Sequence, residues 1–79
     1  MNKEKIYNNC IKQLQEYEGL YYVNGYYQIL ENANNNIEYA IHTLKLVLIR
    51  TINDLYEGSK KDQVFYNSIL NKISEICIY

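Results

Sequence analysis

Apolar residues recur along this chain at three- and four-residue steps, the spacing that lines one face of an α-helix. The longest such stripe covers the middle: Ala33, Ile37, Ala40, Ile41, Leu44, Leu48, Ile52 and Leu55. Asn35 followed three residues later by Glu38 matches a capping box, and Gly58 suits a left-handed C-terminal cap. The pattern predicts a helix from about Asn36 to Glu57, roughly 33 Å long at the α-helical rise. Leu46, Val47 and Ile49 lie off the main stripe, so the middle of this helix is apolar on more than one side. A helix of that kind must be buried on several faces. Either the helix runs through the centre of the bundle or its second face meets another copy; the small size of the chain favours the latter, which makes Leu46, Val47 and Ile49 the candidate self-association residues of a homodimer.

The C-terminal segment opens with Ser59-Lys60-Lys61-Asp62, again a capping-type spacing. Phe65, Ile69, Leu70, Ile73, Ile76 and Cys77 then continue a helical stripe. A short joint at Gly58-Ser59 makes this helix the antiparallel partner of the middle one. A first helix runs from about Lys3 to Tyr17 or further, with Ile6, Cys10, Leu14, Tyr17 and Tyr21 on one face.

The segment from Gly19 to Asn36 is ambiguous. Tyr21-Tyr22-Val23-Asn24-Gly25-Tyr26-Tyr27 places Asn-Gly between β-favouring residues, the strongest short hairpin signal. Against it, Tyr26, Leu30, Ala33 and Ile37 extend the middle stripe backwards without a phase break, and a lone hairpin is only marginally stable. A helical version would break or kink near Gly25 and again at Asn34-Asn35-Asn36, because asparagine favours caps over helix interiors. The expected fold is therefore a single all-α domain over residues 1–79, a small bundle of three to four helices. The alternative is an α+β fold with a short hairpin at about residues 20–30.

The run from Leu20 to Leu44 resembles a single tetratricopeptide helix pair, with Gly25, Ala40 and Leu44 as its small and apolar markers. The Gly25-to-Ala40 spacing is longer than that repeat allows, and such arrays need at least three repeats. The resemblance implies helix-pair grammar, not membership.

Length bounds function. A chain of 79 residues buries only about 60% of the surface its unfolded form exposes, which disfavours a large enclosed active site. No apolar run approaches a membrane span, and the N-terminal Met1-Asn2-Lys3-Glu4-Lys5 has no signal-peptide pattern, so a cytoplasmic protein is expected. There Cys10 and Cys77 read as reduced hydrophobes. With His42 as the single histidine they make no zinc set, and neither a metal nor a cofactor is expected.

Candidate catalytic groups are sparse. His42 stands in an apolar-rich helix, and Ser59, Ser68, Ser74, Cys10 and Cys77 have no acid–base companion nearby in sequence. Glu16 and Glu18 are two apart and so face different ways on a helix; both read as solvated surface. A non-enzyme is expected. The net charge of −1 argues against nucleic acid, since phosphate contact needs several cations on one face. Only the C-terminal segment has a positive excess, Lys60, Lys61 and Lys72 against Asp62 and Glu75.

Composition changes the picture in one respect. The chain holds 10 Tyr with one Phe and no Trp. Seven Lys to one Arg, with 11 Asn and 11 Ile, is the usage of AT-rich codons, so part of the bias records the genome. Some tyrosines must fill the core, and those left outside offer rigid amphipathic contact surface. Tyr21, Tyr22, Asn24, Tyr26 and Tyr27 are the candidate partner-binding cluster. By type, the chain is similar to the small accessory proteins of phages and plasmids, including anti-CRISPR and other anti-defence inhibitors. The expected function is stoichiometric binding to a host protein. The alternatives are a protein that sequesters a small nucleotide signal between aromatic rings and a nucleic-acid-binding regulator.

Overall fold

The structure, a computed structural model, describes residues 2–19, 23–55 and 57–78, without the side chains of Val23, Asn24 and Tyr27. Four helices follow one another among the described residues: α1 (Lys3–Glu18), α2 (Val23–Asn32), α3 (Ile37–Asp54) and α4 (Lys60–Ile76). The chain is an all-helical bundle, and no strand occurs among the described residues.

Local chemistry sets the limits of α1. Asn2 caps its start, its Oδ1 accepting from the Lys5 N–H at 3.1 Å, which satisfies one of the donors a helix start leaves open. At the other end Gly19 adopts φ +85° and ψ −172°, a backbone region that glycine occupies almost alone. Its N–H closes the last turn onto the Gln15 carbonyl at 2.9 Å.

The hairpin alternative is not what the chain forms: Val23, Asn24 and Gly25 make the first turn of α2. Helical spacing brings Tyr26 and Ala33 together into the core and lays Ile29 and Leu30 against it. Strand alternation would point Tyr26 and Ala33 to opposite faces. Burial of one apolar face therefore outweighs the local turn preference of Asn-Gly.

As expected, the break before α3 falls at the asparagine run. Asn34 and Asn35 take φ of +54° and +62°, the left-handed region that asparagine tolerates better than other side-chain-bearing residues. The cap itself is Asn36, whose Oδ1 accepts from the Tyr39 N–H at 3.2 Å. Asn35, placed at the cap by the Asn35–Glu38 spacing, is committed to the reversal instead.

Helix α3 is shorter than its stripe predicts. It stops at Asp54, and Leu55 leaves the helix in extended backbone. Gly58 is thus not its C-cap. Leu55 still packs against the core from that extended position, so the stripe continues past the helix that generated it. Ser59 stands at the N-cap of α4 without a side-chain capping bond, and Asp62 is turned to another use, described below.

The largest helix–helix interface joins α3 to α4. Leu14, Ile41, Leu44, Leu48, Ile69 and Ile73 form the fully buried centre. The inward face of α1 is rotated from its predicted stripe: Tyr7, Cys10, Ile11 and Leu14 are buried, while Tyr17 is exposed. In α4 it is Tyr66, one place beyond the predicted Phe65, that goes fully inward. No helix among the described residues is long and apolar enough to cross a membrane.

Candidate functional site

Glu18, the last residue of α1, lies in the wall of a cleft among α1, α2, α3 and α4. Its Oε1 accepts two hydrogen bonds, from the Tyr26 hydroxyl of α2 and from the Tyr66 hydroxyl of α4, each at 2.6 Å. Charge-assisted bonds of this kind are roughly twice as strong as neutral ones. One carboxylate oxygen therefore joins three helices. The second oxygen, Oε2, is buried and accepts from no donor among the described residues.

Beside it, Tyr17 donates to Oδ1 of Asp62. The Tyr17 ring stacks on Phe65 with centroids 3.8 Å apart and meets Tyr66 edge-on at 5.9 Å. Asp62 lies in the first turn of α4, where the helix dipole favours a negative charge. That placement and the bond from Tyr17 explain its failure to act as a capping side chain.

These residues surround a cleft of about 560 Å³, open on one side, whose remaining walls include Ile29, Val47 and Leu55. Thr51 also faces it, with its hydroxyl donated to the Val47 carbonyl at 2.9 Å. Its described lining contains two carboxylates, Glu18 and Asp62, and no Lys, Arg or His. Acidic charge, aromatic rings and aliphatic floor are thus combined in one concavity.

The phenols here are held protonated. Burial, reinforced by the Glu18 carboxylate, keeps Tyr66 well above its ordinary pKa. The bond to Asp62 does the same for Tyr17. Both therefore serve as hydrogen-bond donors rather than bases. His42 is half-buried on α3 and does not line the cleft, nor do Ser59, Ser68, Ser74, Cys10 or Cys77. Cys10 carries a free thiol, which burial pushes up, with Lys72 acting the other way. Among the described residues no group of His, Cys, Asp and Glu is placed to hold a metal ion.

Of the partner-binding cluster expected from sequence, Tyr26 forms a wall of this cleft, with its ring buried and its hydroxyl on Glu18. Tyr21 and Tyr22 lie outside the described residues, as do the side chains of Asn24 and Tyr27. Val47, expected at a self-association face, is half-buried and lines the cleft. Leu46 and Ile49 do point outward, at 52% and 37% exposure.

Sequence reasoning missed Glu18, Asp62 and Tyr66. Glu18 read as solvated surface and is in fact half-buried. Its bond to Tyr66 spans 48 positions, a separation at which no helical periodicity carries a signal. Compared with known proteins, the chain matches no family model, no curated protein and no solved structure.

Proposed function

We propose that this chain is a small non-catalytic protein-binding protein, of the type by which phages and plasmids hold a host protein inactive, and that it works in the cytoplasm. The observation that carries the reading is the cleft at Glu18, an open concavity of about 560 Å³ that combines tyrosines, an aliphatic floor and two carboxylates. Aromatic anchors around a desolvated polar group are the usual make-up of an interface centre. The phenols of the cleft are donors, and no histidine or thiol stands among its described lining, which supports binding rather than turnover. The AT-rich residue usage supports the phage or plasmid type.

A second copy of the chain belongs to the same proposal. Leu46 and Ile49, one turn apart on α3, are exposed together with Tyr39 at 55%, which supports a homodimer through the outer face of that helix. Light scattering across a concentration series should show the dimer, and Leu46→Glu should return it to monomer. A monomer at every concentration refutes this part.

The binding test is affinity purification from the native host. Wild type is compared with Gly25→Trp, chosen because Gly25 lines the cleft and a Cβ added there meets nothing within 4 Å. A host protein retained at one-to-one stoichiometry by wild type and lost with Gly25→Trp is the expected result. Capture of nucleic acid, or capture that Gly25→Trp leaves unchanged, refutes the reading.

A further inference from the structure

We infer that α2 is a hinged flap on a core of three helices, latched shut by the hydrogen bond from Tyr26 to Glu18, and that its opening widens the cleft and uncovers the α3 wall at Val47, Thr51 and Leu55. The inference rests on the protein-binding reading above and adds how access to that site is controlled.

Burial is shared unequally among the helices. α1, α3 and α4 each bury four side chains. Among the described side chains of α2, Tyr26 alone is buried, with Ile29 and Leu30 half-buried. α2 packs on α1 and α3, and it reaches α4 through the Glu18 oxygen that Tyr26 shares with Tyr66. Lifting α2 away therefore leaves most of the core in place. Elements that bury little apolar surface open at a lower free energy than the whole fold.

Both flanks of α2 carry backbone able to turn. Gly19 before it has φ +85°, and Asn34 and Asn35 after it have φ +54° and +62°. Hinges are a few residues at element ends that absorb such rotations. Beyond them the neighbouring helix keeps its own start, since the cap of α3 is Asn36.

The latch is poised between two states. Tyr26 gives Glu18 Oε1 a charge-assisted bond at 2.6 Å, which favours closure. Closure also leaves Glu18 Oε2 buried with no donor among the described residues, a cost that water removes once α2 lifts. Oε1 still holds Tyr66 at that point, so Glu18 stays tied to α4. Opening takes Gly25, Tyr26 and Ile29 out of the cleft lining and leaves the α3 residues facing solvent.

The test is native-state hydrogen exchange on the full chain, where reclosing outpaces exchange and rates follow the open population. α2 is 10 residues long, too short to persist as a helix once off the core, so its amides exchange on opening. Gln28 to Asn32 should exchange faster than Leu44, Leu48 and Ile69. Ile73→Val thins the core at a fully buried place on α4. It should speed the α3 and α4 amides roughly 3- to 10-fold and leave Gln28 to Asn32 unchanged, because a closed and an open flap share that core. Tyr26→Phe should speed Gln28 to Asn32 about ten-fold. Tyr39→Phe, which removes a hydroxyl from an exposed place on α3, should not.

If Ile73→Val speeds Gln28 to Asn32 as much as the α3 and α4 amides, α2 opens only with the whole bundle and the inference is overturned. Exchange of Gln28 to Asn32 at the rate of an unstructured chain overturns it as well, since no closed state then exists. Equal α2 rates in wild type and Tyr26→Phe overturn the latch. These readouts need no partner: if α2 opens on its own and no host protein is captured, only the protein-binding reading falls. If a host protein is captured and α2 opens only with the bundle, only the flap falls.

Discussion

Tyr7 offers a sharp test of the packing. Its side chain is only 2% exposed, and its hydroxyl oxygen is buried with no hydrogen-bond partner among the described residues. An unsatisfied buried hydroxyl costs about 1–3 kcal/mol, while Tyr7→Phe keeps the ring and removes one oxygen. Phenylalanine at this position should therefore stabilise the fold by about 1 kcal/mol at pH 7, after allowance for the small void left behind.

The same burial gives the substitution a pH signature. It pushes the Tyr7 pKa up from 10.0 to about 12. A group whose folded pKa is raised contributes stability fully below the unfolded value, and that contribution disappears as pH climbs toward the folded one. Between pH 10 and pH 12 the unfolded chain releases the phenol proton while the folded chain keeps it, so wild type weakens. By pH 11 this amounts to about 1.4 kcal/mol. Tyr17 and Tyr66 also resist ionisation, but they are present in both proteins and cancel in the comparison. Urea unfolding of both proteins at pH 7, 10 and 11 measures the effect. The advantage of Tyr7→Phe should widen with pH. A variant less stable than wild type at pH 7, with a parallel pH dependence, would refute the unpartnered hydroxyl.

Three further outcomes follow from the same structure. Tyr26→Phe and Tyr66→Phe each leave Glu18 Oε1 one donor, so each should cost about 1–2 kcal/mol. The double variant strips the carboxylate of both and should exceed the sum by about 1 kcal/mol; strict additivity in a denaturation cycle would show that the two phenols do not share that oxygen. Gly25→Ala should raise stability by about 0.5–1 kcal/mol, because Gly25 is helical within α2 and an added Cβ meets nothing within 4 Å; a lower melting temperature would contradict that placement. Asn36→Ala removes the capping acceptor of α3 and should cost about 1 kcal/mol, whereas Asn35→Ala would instead strain a left-handed residue; an unaffected Asn36→Ala would move the cap elsewhere.

Three of the helices were legible because each carries an apolar stripe long enough to fix its period. The fourth was legible only as a choice, since Asn24-Gly25 favours a hairpin locally while Tyr26 and Ala33 need one helical face to be buried together. Periodicity reports a face only to within one position, so Tyr7 and Ile11 displaced Ile6 and Tyr17 from the centre of α1, and Tyr66 displaced Phe65. It says still less about ends: Leu55 belongs to the core but not to the helix. The site was least legible of all. A carboxylate at the end of α1 acquires its meaning from Tyr66 in α4, and that pairing exists only once the chain has closed on itself.

The asparagine run before α3 bears on how such a chain is spelled. Glycine codons are rich in G and C, and the chain uses only 3 Gly against 11 Asn. Asn34 and Asn35 occupy the left-handed backbone that glycine enters most freely, and Asn2 and Asn36 close the starts of α1 and α3. Asparagine thus does two jobs here, reversing the backbone at Asn34 and Asn35 and capping helices at Asn2 and Asn36. Asn34→Gly should therefore cost little stability, whereas valine or isoleucine there would force the reversal open.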